Sequence, residues 1–358
     1  MLRLTLIALF LAPILHAQQD SVLHTLFFTG DTGKDTIPSE ALFLLAFEAI
    51  DNPKSSVVLL GDNVYPAGIE KGSGKARSER ILTAQLELFS TYQGNLSIIP
   101  GNHDWSAGKA SGLNAVKRQA ELANNFTRGN SILKNSGAVY FANPGMPGPE
   151  LRELHPKVSL ILLDTQWWLQ HDLFHNVAHD GKRIQETSAD ALQALEKLVA
   201  EAEQQKKFVI LAGHHPIFTN GKHGQRKEPF RFLFTYTPLR IFGLLGLDRY
   251  FVQDIHHRRY NKLRREVRKI LSRHPQSIYI SGHEHNMQYF SEQQTHYFVS
   301  GSGAKRSPIL RYRYPAHFMD DQQTGFFKLL FYASGKAEVQ AFGVRDRGEF
   351  WSKVLFYK

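Results

Sequence analysis

Apolar residues along the chain gather into short unbroken runs, most of them closed by a glycine and a polar residue. Residues 25–28 lead into Gly30 and Asp31, 56–60 into Gly61 and Asp62, and 96–100 into Gly101 and Asn102. Further on, 158–163 ends at Asp164, 208–212 at Gly213 and His214, and 277–281 at Gly282 and His283. Runs of four to seven residues with such punctuation predict buried strands. Between them, apolar positions recur at helical spacing over 38–50, 76–89, 107–124 and 187–204. In the last of these, Ala191, Leu192, Leu195, Leu198 and Val199 share one face. Strands alternating with helices predict an α/β fold with largely buried sheets.

Past residue 295 the helical pattern stops. Residues 296–300, 326–332 and 337–344 read as antiparallel strands, with Ser334 and Gly335 as a hairpin turn. At the other end, Met1-Leu2-Arg3 precedes an apolar stretch over 4–15, and His16-Ala17-Gln18 offers a small residue before the polar chain begins. This is the pattern of a secretory signal peptide over 1–17, and export to a periplasm or the exterior is expected. The stretch is shorter than the roughly 20 apolar residues a bilayer span needs. A domain is expected over 22–345, with 346–358 as a tail completing it.

Length and composition set bounds on this picture. At 358 residues, 42% hydrophobic and 21% charged, the chain has ample material for a large core. It holds no cysteine, which excludes disulfides, a thiolate nucleophile and thiolate metal ligands. The net charge is +10, and it is local: residues 222–273 carry 14 Lys/Arg against four acids, while the rest holds 29 of each sign. This basic insert interleaves arginine with Phe and Leu at 230–234 and 239–245. Two readings stand: an interfacial segment on an anionic membrane surface, or a cover loop and a helix over 261–273 with a solvated basic face. In either case the charge would draw phosphate substrates towards the site. No nucleic-acid-binding module is recognised, so nucleic acid is not an expected partner.

The chemistry lies in the polar residues at the strand ends. Five loops stand out: Gly30-Asp31-Thr32-Gly33, Gly61-Asp62-Asn63-Val64-Tyr65, Gly101-Asn102-His103-Asp104, Gly213-His214-His215-Pro216 and Gly282-His283-Glu284-His285. A single Gly-Asp after a strand is usually a turn, but five such loops in one chain leave that reading little room. Together they offer oxygen and imidazole donors suited to hard or borderline metals. One bridging carboxylate plus six more ligands suffices for two ions about 3.5 to 4 Å apart, the arrangement that clamps attacking and leaving oxygens in phosphoryl displacement.

This ordered set resembles the calcineurin-like metallophosphoesterases, and specifically their purple acid phosphatase branch, over roughly residues 27–303. The resemblance implies a four-layered αββα sandwich of two mixed sheets flanked by helices. Most relatives place a histidine two positions after the first aspartate, where this chain has Gly33; in the purple branch a tyrosine, here Tyr65, supplies the missing ligand. The resemblance implies that Asp31, Asp62, Tyr65 and His285 hold Fe(III). Asp62 would bridge to a divalent ion (Fe, Zn or Mn) held also by Asn102, His214 and His283. A metal-bound hydroxide would then hydrolyse a phosphate ester substrate, a phosphomonoester in the first instance. His103 and His223 are the candidate groups for orienting phosphate or protonating the leaving oxygen, and Asp104 is expected to fix the His103 tautomer through a carboxylate–imidazole bond.

Other residues compete for notice. His215 sits where relatives vary, His256 and His257 read as surface histidines, and Asp164 reads as structural. His171, His175 and His179 follow Trp167 and Trp168 in a stretch expected to border the site, with the aromatics touching the leaving group. The same ligand set serves phosphodiesters, pyrophosphates or nucleotides in place of monoesters. A phosphate-binding or membrane-surface protein on an inactive scaffold is the non-enzymatic alternative.

Overall fold

The protein is described from a computed structural model covering residues 20–133, 139–170, 183–224, 253–310 and 312–358. The expected leader, most of the basic insert (225–252) and His171, His175 and His179 lie outside the described residues.

Six strands form one sheet: β1 (Val22–Thr29), β2 (Ser55–Leu59), β3 (Asn95–Ile98), β11 (Gly325–Tyr332), β12 (Lys336–Gly343) and β13 (Gly348–Tyr357), in the order β13-β12-β11-β1-β2-β3. Seven form the other, in the order β10-β8-β9-β7-β6-β5-β4: β4 (Glu150–His155), β5 (Val158–Leu162), β6 (Phe208–Ala212), β7 (Ile278–Ser281), β8 (Met287–Glu292), β9 (Thr295–Ser300) and β10 (Phe318–Asp320). Both sheets are mixed, since β1, β2 and β3 pair in parallel, as do β5, β6, β7 and β9, while the other neighbours are antiparallel.

Helices α1 (Glu40–Ile50), α2 (Lys75–Leu88) and α3 (Gly112–Gly129) belong to the first sheet's side, α1 packing on β2 and β11. Helices α4 (Ile184–Gln204) and α5 (Arg258–Ser272) cover the second, with α4 on β6 and against α5. The sheets face one another through aromatic contacts: Phe28 and Phe327 meet Phe298, and Phe331 meets Phe208. Every residue of β2, β5 and β6 is buried, as expected of parallel strands covered on both faces. This is the expected αββα sandwich.

Three differences from the sequence pattern have physical causes. Helix α3 starts at Gly112 and not at 107, because Ser106 and Ala107 take positive φ (54° and 52°) in a tight turn after the Asn102 loop. Strand β9 is not purely antiparallel, since it pairs in parallel with β7 as well as with β8. Strands β4 and β13 sit at sheet edges with few buried residues, so they lack the apolar run that marked the central strands.

Candidate metal centre

The strand-end loops converge at the carboxyl ends of the parallel strands, where ligands bind in open α/β sheets. After Gly30, Gly61 and Gly282 the next residue turns into the left-handed region: Asp31 at φ 61°, Asp62 at 54° and His283 at 71°. Such backbone is uncommon outside glycine, and in this chain it falls on three of the expected ligands.

Asp62 occupies the middle. Its Oδ2 accepts from the Tyr65 hydroxyl at 2.8 Å, and that hydroxyl also lies 2.9 Å from Asp31 Oδ1 and 3.3 Å from His285 Nε2. Its Oδ1 lies 3.5 Å from His214 Nε2 and accepts from the His103 amide at 2.8 Å. Asn102 Oδ1 lies 3.0 Å from His214 Nε2 and 3.1 Å from His283 Nδ1. The seven residues therefore form two groups, Asp31-Tyr65-His285 and Asn102-His214-His283, with one carboxylate oxygen of Asp62 turned to each.

The donor set fits metal ions. His214 Nδ1 lies 2.7 Å from the Leu60 carbonyl and His283 Nε2 lies 3.2 Å from the Gln253 carbonyl. A carbonyl only accepts, so these nitrogens carry the protons and the opposite nitrogens present lone pairs. The His283 Nδ1 lone pair faces the Asn102 oxygen at 3.1 Å with no hydrogen between them. On the other side, one phenolic proton lies among two carboxylates and an imidazole. Lone pairs converging in a buried place are complementary to cations, and Asp31, Asp62 and His214 bring ligand atoms within 4.8 Å of one another. Burial and then the neighbouring rings of His223, His215 and His214 hold His283 well below the usual histidine range, in the neutral form a metal requires. Burial alone would raise the Asp62 carboxyl, yet the His214 and His103 rings hold it below the usual carboxylate range.

Two residues at the mouth keep partial exposure. His103 is bonded through Nδ1 to the Pro66 carbonyl at 2.6 Å and turns Nε2 towards Asp62 at 3.9 Å. His223 sits in a short turn, bonded through Nδ1 to Asp254 at 3.0 Å, with its ring 4.3 Å from that of His283.

Asp104 is not the partner of His103. It is fully buried and accepts from the amides of Gly101 (2.8 Å), Asn63 (3.0 Å) and Val64 (3.1 Å) and from the Gln119 side chain (2.9 Å). It ties the Asn102 loop to the Asp62 loop, and the Pro66 carbonyl sets the His103 tautomer in its place. Trp167 and Trp168 are both buried in the core, Trp168 donating to Ser188 at 2.8 Å. Asp164 is structural, accepting from Trp105 Nε1 at 2.9 Å. His215 lies against His214 and His283, but its nitrogens are engaged by Thr165 (2.8 Å) and Gln253 (2.7 Å). His256 and His257 are half-buried and away from the centre, His257 capping α5.

Four residues of the site carried no signal in the sequence. Gln253 and Asp254 belong to the basic insert and orient His283, His215 and His223. Glu284, buried between two expected ligands, accepts from the His223 amide at 2.7 Å. Lys305 lies over the Tyr65 ring. Glu284 lies inside the fifth strand-end loop without a role of its own there, and the other three sit in no strand-end motif, so only folding brings them in.

Fold and donor set together define a phosphoester hydrolase of the dinuclear-metal class. The sequence profile of the calcineurin-like phosphoesterases matches residues 24–287, and the chain belongs to that family. No curated protein matches it. Among solved structures, GAP50, "the anchor in the inner membrane complex of Plasmodium", shares the fold at TM-score 0.57 and 15% identity, over 94% of this chain and 90% of that one. A dimetal phosphatase from Danio rerio aligns at TM-score 0.51 and 13% identity, over 94% and 100%. The purple acid phosphatase PPD1 from yellow lupin (Lupinus luteus) seeds aligns at TM-score 0.53 and 15% identity, over 94% of this chain and 54% of that one.

Proposed function

We propose that the chain is an exported phosphomonoesterase of the purple acid phosphatase type, working with a ferric and a divalent ion. Asp31, Asp62, Tyr65 and His285 would hold the ferric ion. Asp62, Asn102, His214 and His283 would hold the divalent one, Fe, Zn or Mn. The observation that carries the reading is Asp62, which turns one oxygen to each group of donors. When bound, two such ions supply charge neutralisation at the phosphoryl oxygens and a water acidic enough to act as nucleophile near neutral pH.

The remaining work falls to side chains. With Nδ1 committed to Pro66, His103 presents Nε2 beside Asp62, the atom through which it would pass a proton to the leaving oxygen. His223, with Nδ1 committed to Asp254, has Nε2 for the same task on the His283 side. Both are partly exposed, as a group that meets substrate must be. Metal analysis of purified protein together with turnover of aryl mono- and diesters tests the reading. Two ions per chain and a preference for monoesters are expected; a diester preference would favour the phosphodiesterase alternative.

Export would follow from the 1–17 leader, and the N-terminal residue of the mature protein checks it, Gln18 being expected. A second surface role is favoured by α5, whose Arg258, Lys262, Arg265 and Lys269 are exposed on the face opposite its buried Leu263, Val267 and Ile270. Likeness to a protein described as a membrane-complex anchor is consistent with contact to an anionic surface. Co-sedimentation with anionic but not neutral vesicles would support it.

A further inference from the structure

We propose that Lys305 anchors the substrate's phosphoryl group on the Tyr65 side of the site, an inference that rests on the phosphoesterase reading above. Lys305 follows β9 in a segment tied to the ligand loops on both sides. The Gly303 amide donates to the Gly30 carbonyl at 3.1 Å, and the Ser307 amide to the His285 carbonyl at 2.8 Å. Between these ties the Lys305 ammonium reaches over the Tyr65 ring, 2.9 Å from its centroid.

That placement leaves the ammonium without a matching acceptor. Lys305 is about half buried, and among the described residues its Nζ has no hydrogen-bond acceptor and no carboxylate within ion-pair distance. Contact with a ring face returns only about 0.5 to 2 kcal/mol, less than a hydrogen-bonded anion would give a partly desolvated charge. Asp31 and Asp62 are near enough to act on Lys305 through their fields, but in the proposed centre their oxygens face the ions. None of the described residues supplies that acceptor. A phosphoryl oxygen entering beside Tyr65 meets this need, and lysine serves phosphate as a flexible point charge.

The surroundings match an anionic visitor. Lys34, exposed, acts on Lys305 from the neighbouring loop, and Arg77 reaches the carbonyls of Tyr65 and Lys34 at 3.5 Å while pairing with Asp35 at 3.7 Å. These cations lie outside the 222–273 insert. That part of the chain has no net charge, yet folding sets Lys34 near Lys305 beside Tyr65. His103 and Lys305 both approach Tyr65, so one ring carries contacts from a proton-exchanging group and a fixed charge.

The test uses the full mature protein as Lys305→Gln and Lys305→Arg, with KM and kcat for an aryl phosphomonoester and the inhibition constant for inorganic phosphate. Metal content and Tm are measured alongside. Lys305→Gln is expected to raise KM and the phosphate constant on the order of tenfold or more, with kcat within about threefold, as loss of one charge-assisted bond requires. Lys305→Arg is expected to recover most of the loss, with metal content unchanged in both. An active wild type whose Lys305→Gln form binds phosphate equally well would overturn the proposal. So would weakened binding that follows lost metal or lowered Tm and is not rescued by arginine, since Lys305 would then only prop Tyr65. A wild type that holds two ions but turns over no ester would contradict the phosphoesterase reading instead. Calorimetric titration of inorganic phosphate into that protein and its Lys305→Gln form would then decide the lysine's role separately.

Discussion

A Cβ on Gly33 would overlap the carbonyl group of Asn63. The backbone at Asn63 and Val64 lies flush on Gly33, and the Tyr65 amide donates to the Gly33 carbonyl at 2.9 Å. No side chain of any kind fits at position 33 without moving the Asp62 loop. The close approach carries the chain round so that Tyr65 comes to the side of Asp31, where a ligand from position 33 would otherwise reach.

Gly33→Ala is expected to destabilise the protein by about 1 to 3 kcal/mol, as overpacking does, and to reduce bound metal. Gly33→His is expected to be worse and to add no ligand. Thermal unfolding and metal content of both variants check this; a stable, metal-replete Gly33→His form would contradict it.

Tyr65→Phe separates the two candidate metal chemistries. If Tyr65 binds Fe(III) as phenolate, the native protein has a visible charge-transfer band and the phenylalanine variant loses it. A colourless but fully active native enzyme would point to Mn or Zn in both positions.

Asp104 and His103 adjoin in sequence and are expected to differ in their effects. Asp104→Ala strands three backbone amides and the Gln119 side chain in the interior, at about 1 to 3 kcal/mol for a buried donor left without its acceptor. Tm should fall steeply. His103→Ala should leave Tm nearly unchanged and lower kcat on the order of a hundredfold, the usual worth of a general acid. Equal Tm in the two variants would contradict the assignment.

Asp164 carries a pH signature of its own. Burial pushes its carboxyl up to about 8, although bonds from Trp105 and the Trp167 amide oppose the shift. An unfolded aspartate titrates near 3.9, so the folded state holds the proton more tightly. The resulting stabilisation is complete below about pH 4 and is lost as pH rises through about 8. Asp164→Asn keeps an acceptor for Trp105 and removes the titration, so the variant should gain stability relative to wild type as pH is raised from 5 to 8.5. Parallel Tm curves across that range would show that Asp164 stays ionised throughout.

How much of this was legible in the sequence follows from what each element buries. Central strands β2, β6 and β7 are buried on both faces and stand out as runs, and the loops at their ends carry Asp62, His214 and His283, so fold and donor set are legible together. Edge strands β4 and β13 bury little and left no run. Adjacency in sequence suggests a bond between Asp104 and His103, but the turn after Asn102 sends the Asp104 carboxylate inward to the amides of another loop. Lys305 and Gln253 gave no signal, since a lysine in a loop and a glutamine before a helix acquire meaning only from what folding sets beside them.

Everything proposed for the site depends on Asp62 serving two ions at once. The most direct measurement is the turnover of an aryl phosphomonoester by purified, metal-replete wild type and Asp62→Ala. The account predicts an active wild type and a variant slowed by about a thousandfold or more, on the scale of losing a preorganised electrostatic group at the reacting centre. Near-normal turnover by Asp62→Ala would contradict it.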